Sequence, residues 1–311
     1  MSHARHGIDF VGHRILPNAF DAESTEPINN IVIKNAPKEE HRWLEEASLK
    51  IGEWRGILRS MYMRWALAIN GLEVAAHEYA KWEPHRRFTV TSHDPSGELI
   101  PLAIWDGRTA SENHLKTMPS LAEFGLIDMY SGIEEFVFLL YRTYLTQHPD
   151  HLLEGPDYRD LRKIRSAANQ GADAQKAWNK ALKDRLENWQ RKHLYDGLER
   201  VFKAFCSHSG LKTPSHYTRS TVETWAESIG GIALVRNALV HGTKSVSAEL
   251  AEFCRKPHRL AFEFKEGDPL DINLIHLQGV ECFCEQLLSA LNFSMLELAY
   301  DKKFKDLKQQ E

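Results

Sequence analysis

The chain has 311 residues, 42% hydrophobic and 26% charged, with a net charge of −4, which excludes wholesale disorder and argues against general affinity for nucleic acid. Its length accommodates one large domain or two modest ones. No apolar run reaches the length of a membrane span and the N-terminal stretch is too polar for a signal peptide, so a cytoplasmic protein without membrane association is expected.

Residues 1–38 show no periodicity and read as an irregular arm. Between 40 and 82, apolar residues including Ala47, Ile51, Trp54, Leu58, Met61, Trp65, Ile69, Leu72, Ala76 and Tyr79 recur at spacings of three and four, which predicts an amphipathic helix. An unbroken helix of that length would be long for a small bundle, so a break at Gly71 and a helical hairpin are expected, with Gly52 and Gly56 weakening the first half. Trp54, Trp65 and Trp82 read as packing anchors. Residues 87–92 alternate, 93–97 have turn chemistry and 99–105 return, which predicts a β-hairpin whose second strand Pro101 confines to an edge. Residues 106–118 read as a loop. It is the expected seam between an accessory N-terminal region, 1–118, and the remainder, 119–311.

After Pro119, Ser120 and Glu123 form a capping-box pattern that predicts the start of a long helix with a stripe through Ile127, Ile133, Phe136, Val137, Leu140 and Tyr144. Glu134 and Glu135 on it face partly outward and read as a solvated pair rather than a catalytic one. Residues 155–193 hold ten Lys/Arg against five Asp/Glu, a local basic face suited to phosphate contacts or, equally, a solvated helix laced with ion pairs. Arg162 and Arg165 there, with Lys244 further on, are the candidate substrate contacts. An amphipathic segment carries Leu194, Leu198, Val201, Phe202 and Phe205, and a polar loop over 207–220 follows. Residues 259–264 look strand-like, Gly267 and Asp268 form a turn, and a terminal helix carries Leu277, Val280, Cys284, Leu287, Leu291, Met295 and Leu298 before a frayed tail.

Between Ile232 and Val240 the sequence is apolar except for Arg236 and Asn237, and His241 and Gly242 follow. Gly242 sits where a left-handed cap commonly ends a helix, which puts His241 in the last turn, where the helix dipole favours cations. Asn237 and His241 share a face, whereas Arg236 diverges from His241 by about 140°. A buried cation needs a partner. Two readings follow: Arg236 pairs with a carboxylate from another helix while His241 is a satisfied core histidine, or the trio forms a phosphate site, with a fixed cation beside an imidazole that moves protons.

Other chemistry finds less footing. Gly242 to Ser245 lacks the frame of a phosphate-binding loop, Ser131 and Ser209 lack the flanks of a nucleophile elbow, and no histidine pair has metalloenzyme spacing. His13, His41, His148 and His151 read as surface residues. Cys206, Cys254, Cys282 and Cys284 lack metal-finger spacing and read as core. No metal or cofactor is expected.

The spacing of Arg236, Asn237 and His241 resembles the signature of the HEPN superfamily of helical-bundle ribonucleases, and the order of elements over about 119–303 is similar to that family. The resemblance implies a mainly α fold, an antiparallel helical bundle here carrying a small β-hairpin insertion and an N-terminal helical extension. It implies a metal-independent endoribonuclease that leaves 2′,3′-cyclic phosphate and 5′-hydroxyl ends, with His241 in proton transfer, Arg236 stabilising charge and Asn237 orienting His241 or the phosphate. It further implies RNA as substrate, a cleft shared by a homodimer, and toxin or defence roles with an antitoxin or regulatory partner. The alternatives are a non-catalytic HEPN-like module that binds nucleotide or protein, and an adaptor whose N-terminal region recruits another effector.

Overall fold

Two long antiparallel helices, α1 (Trp43–Ala80) and α2 (Gly107–Gln147), form the spine of the protein, in a computed structural model that describes residues 30–308. Their pairing is legible along its length. Trp43 meets Tyr144 edge-on at 5.2 Å, and Trp54 meets Phe136 at 5.9 Å. Trp65 donates from Nε1 to Asp128 at 3.0 Å, and Gly107 lies against the backbone of Tyr79. The expected tryptophan anchors at 54 and 65 are packing residues.

Helix α1 does not break at Gly71. A glycine in a helix interior costs about 1 kcal/mol, little against an apolar face that is buried for most of the helix's length. Nor is 106–118 a loop, or Ser120 a cap. Helix α2 begins at Asp106, whose carboxylate accepts from Thr109 N at 2.8 Å, and runs on through Pro119. An interior proline removes one backbone bond at a cost of about 3 kcal/mol, which packing of α2 along α1 outweighs. The division at 118/119 therefore falls inside a helix. One hydrophobic core draws on Ile33, Trp43 and Ile51 as well as on Phe136, Phe205 and Leu291.

Strands β1 (Phe88–His93) and β2 (Leu99–Trp105) close the distal end as the expected antiparallel hairpin, with a register shift between Val90 and Thr91. Both strands are edges, so Pro101 is tolerated.

Beyond α2 come α3 (Arg159–Ala167), α4 (Ala172–His193), α5 (Leu198–Ser209), α6 (Val222–Val240), α7 (Ala248–Cys254), α8 (Leu274–Tyr300) and α9 (Phe304–Lys308). Helix α8 packs on α1 and α2, and α6 packs between α2, α5 and α7. The fold is mainly α, with the hairpin its one sheet among the described residues.

Three further expectations change, while the irregular arm holds over 30–38. Residues 259–264 form no strand. Leu260 adopts φ +60°, and successive turns run from Arg259 N to Lys256 O and from Phe262 N to Arg259 O, burying Phe262. The tail after Tyr300 is not frayed, because α9 folds back so that Phe304 N donates to Glu297 and its ring packs on Phe293 at 4.5 Å. Residues 30–38 are irregular but tied down: Ile31 exchanges two hydrogen bonds with the Asn292 amide, and Ile33 N donates to Ser48 Oγ. The remainder of that arm, His13 included, lies outside the described residues. His41, His148 and His151 are half-buried rather than on the surface, and His151 lies flat against His208, ring centroids 4.1 Å apart. Cys206, Cys254 and Cys284 are buried thiols, as expected, and Cys282 is partly so. No described helix is long and apolar enough to cross a membrane.

Candidate functional site

Helix α6 owes its placement to local signals at both ends. Thr221 caps its N-terminus in a reciprocal box with Thr224. At the other end Gly242, at φ +67°, lets Gly242 N bond Leu239 O and Thr243 N bond Ala238 O, the paired bonds of a Schellman motif. A side chain with Cβ would strain that left-handed cap. Between the ends, Trp225, Ile229, Ile232 and Val235 face the core. The next residue, Arg236, leaves that stripe and emerges over α2.

There the guanidinium lies over the ring of Tyr130, 5.5 Å from its centroid, and Nη1 donates to Asn237 Oδ1 at 2.9 Å. Its Nε is buried and has no hydrogen-bond partner. No carboxylate stands within ion-pair distance of Arg236 among the described residues. Glu134, one turn beyond Tyr130 on α2, is half-buried and sits close enough for the two charges to interact. Burial raises the Glu134 carboxyl above the usual carboxylate value, and Arg236 pulls it back. Burial, helped by the charge of Glu134, pushes the Tyr130 phenol up to about 12, again opposed by Arg236. Tyr130 is therefore a neutral ring beneath a cation.

Compared with known proteins, the chain matches no family model, no curated protein and no solved structure.

Neither half of the core reading of the trio describes these side chains. Arg236 is half-buried without a paired carboxylate, and His241 is exposed at the C-cap of α6, with no side-chain hydrogen bond among the described residues. The apolar run misled because α6 is buried along only one face; Asn237 and Val240 are exposed as well. Asn237 binds the guanidinium rather than His241. Glu134 and Glu135 do face partly outward, Glu135 exposed and Glu134 half-buried.

Lys244, two residues past the cap, is exposed beside the motif. Arg162 and Arg165 are engaged elsewhere. Arg162 donates to the carbonyls of Leu153 and Gly155, and Arg165 pairs with Asp150, so both brace the loop that leads into α3. Helix α3 packs chiefly on α4, and the structure does not bring these two arginines to Arg236. On the solvent face of α4, Lys176, Lys180 and Lys183 are exposed at helical spacing.

Sequence reasoning missed Tyr130. It also set aside Glu134, its neighbour four residues on, which places both on one face of α2. Their spacing could be read from the chain, but that α6 would lay Arg236 across that face could not.

A guanidinium presents five N–H donors, and here one nitrogen is bonded within the protein. Nε is closed off by burial, so the donors left for an outside anion are those of Nη2, which can reach the oxygens of a phosphate group. Half-burial lowers the local dielectric and strengthens the attraction.

Proposed function

We propose that the chain is a HEPN-like, metal-independent endoribonuclease. The observation that carries this reading is the unbonded Nη2 end of the Arg236 guanidinium, held by Asn237 and the Tyr130 ring a little over one helical turn from the exposed imidazole of His241. The 2′-OH of RNA attacks its own phosphate, so the nucleophile arrives tethered and the protein supplies proton transfer and charge stabilisation. In this reading Arg236 takes the non-bridging oxygens and His241 moves the proton. Asn237 keeps the guanidinium in register, and Lys244 contacts the backbone nearby.

Among the described residues His241 has no orienting partner, and this supports a site completed by a second copy. A two-fold pairing of α6 C-termini would bring each Arg236 towards the other chain's His241. Such a homodimer would bury at least about 1,200 Å² in total. A cytoplasmic toxin or defence effector restrained by an antitoxin or regulatory partner fits the same reading. So does a basic flank on α4 following the RNA backbone.

The lack of an orienting partner for His241 also favours a second reading, a non-catalytic module that binds phosphate through Arg236. One experiment separates them: incubation of total RNA with wild type and His241→Ala in EDTA, with mapping of the product ends. The nuclease reading expects 2′,3′-cyclic phosphate ends from wild type and a loss of about 10²–10⁴-fold in the variant. Equal cleavage by both proteins would refute the role of His241. Binding that depends on Arg236, without cleavage by either protein, would support the module instead.

A further inference from the structure

Glu134 is the one part of this site that the proposed reaction leaves unused. Its carboxylate is half-buried, makes no hydrogen bond or ion pair among the described residues, and sits one helical turn from Tyr130, whose ring the Arg236 guanidinium covers. Here Asn237 holds the guanidinium by Nη1 over the Tyr130 ring, leaving the carboxylate beside it and unbonded. The titratable or charged groups that face Glu134 among the described residues are Tyr130 on its own helix and Arg236 across on α6. Glu135, next in the chain, is exposed.

We propose that Glu134 is a second functional group of the site, one that takes up a proton when a phosphate binds Arg236. The proposal rests on the reading of Arg236 as a phosphate-binding residue. In the free protein the positive charge of Arg236 favours the carboxylate, against the effect of burial. A bound phosphate cancels that charge and adds a negative one within reach of Glu134. Two anions sharing a half-buried site disfavour each other, and one of them protonates. The proton comes from solvent and forms the carboxyl O–H. A neutral carboxylic acid is then a hydrogen-bond donor directed at the phosphate, where the carboxylate was a repelling acceptor. Glu134 thereby favours phosphate anions at lower pH and opposes them at higher pH.

Glu134 binds a proton more tightly in the complex than in the free protein. RNA affinity therefore falls as pH rises from the free-state pKa of Glu134 towards its complex-state value, by up to about tenfold per pH unit for one proton. Outside that window the effect is flat.

The test uses the full chain in the His241→Ala background, which stops cleavage and removes the titration of that imidazole. A fluorescein-labelled single-stranded RNA of mixed sequence is titrated by anisotropy across mildly acidic to neutral pH, at fixed salt. The parent should show affinity that weakens with rising pH. Glu134→Gln, nearly identical in shape, should bind at least as tightly and lose most of that slope. Glu134→Asp, which keeps a titrating group, should retain it. Calorimetry in two buffers of different ionisation enthalpy should register proton uptake for the parent and none for the Gln variant. A slope and proton uptake unchanged in Glu134→Gln would overturn the proposal while leaving the phosphate site intact. Binding indifferent to Arg236→Ala would instead sink the site reading on which it rests. Circular dichroism of each variant distinguishes these outcomes from misfolding.

Discussion

Gly230 and Gly231 are neighbours on the helix that carries the motif, and alanine at each should act in opposite directions. A Cβ at Gly230 would meet Glu199 Oε2 at 2.5 Å, the far end of a flexible, partly exposed side chain that is free to swing away. A Cβ at Gly231 would meet the Phe253 ring at 2.3, 2.4 and 2.5 Å, and that ring is 5% exposed, packed where α7 docks on α6. Replacing glycine by alanine inside a helix gains about 1 kcal/mol at either position. At Gly230, displacing Glu199 loosens only a surface pair with Lys203, worth about 0.3–0.5 kcal/mol. Gly230→Ala should therefore be stabilising by about 0.5 kcal/mol. At Gly231 an overlap of roughly an ångström falls on a side chain with nowhere to go. Overpacking costs about 1–3 kcal/mol, and a ring with no room to move puts this position in the upper half of that range, so after the helix gain of about 1 kcal/mol the net effect is destabilisation of about 1–2 kcal/mol. Urea titrations of the two variants and the parent, at matched m-value, measure both quantities. If Gly231→Ala proved as stable as the parent, or if the two variants fell together, the close contact between α6 and α7 would be wrong. Because α7 braces the helix that aims Arg236, Gly231→Ala should also lower cleavage, while Gly230→Ala leaves it unchanged.

Arg236→Lys should fail nearly as badly as Arg236→Ala in the cleavage assay, because an ammonium cannot reproduce a planar two-donor edge; near-normal activity in the Lys variant would leave only the charge of Arg236 as its contribution. Arg236→Ala and His241→Ala proteins, each inactive alone, should regain some activity when co-expressed, and a fully active monomer by light scattering would refute a site shared between copies. His276 sits buried at the start of α8, where its Nδ1 accepts from Asn273 N at 3.0 Å, and burial lowers its tendency to take a proton. A histidine whose folded pKa is depressed contributes stability that is complete above the unfolded value, near 6.5, and is lost as pH falls from there through the folded value. A series of Tm measurements across that range should show the decline, flattened in His276→Gln, which keeps an acceptor in the capping box. A Gln variant as acid-sensitive as wild type would place the titration elsewhere, with His208, also lowered by burial, the next residue to test.

Much of the helical content was decided by local chemistry. The three-and-four spacing from Ala47 to Tyr79, the alternation either side of a turn at 93–97, and the Gly242 cap are short-range patterns, and each forms where its pattern lies. The motif residues were legible too, because Arg236, Asn237 and His241 interrupt an apolar run. What the chain by itself did not determine was continuity and exposure. Gly71 and Pro119 are helix breakers by propensity, worth about 1–3 kcal/mol. That propensity is overridden when two long helices bury their faces against each other, a contact formed between residues far apart in sequence. The same holds for the site. Periodicity marks α6 as apolar, but only its docking across α2 decides that Arg236 emerges over Tyr130, that Glu134 lies unbonded beside it, and that His241 faces solvent. Local pattern specifies which residues can form an element; which of its faces becomes a site depends on the partner against which that element packs.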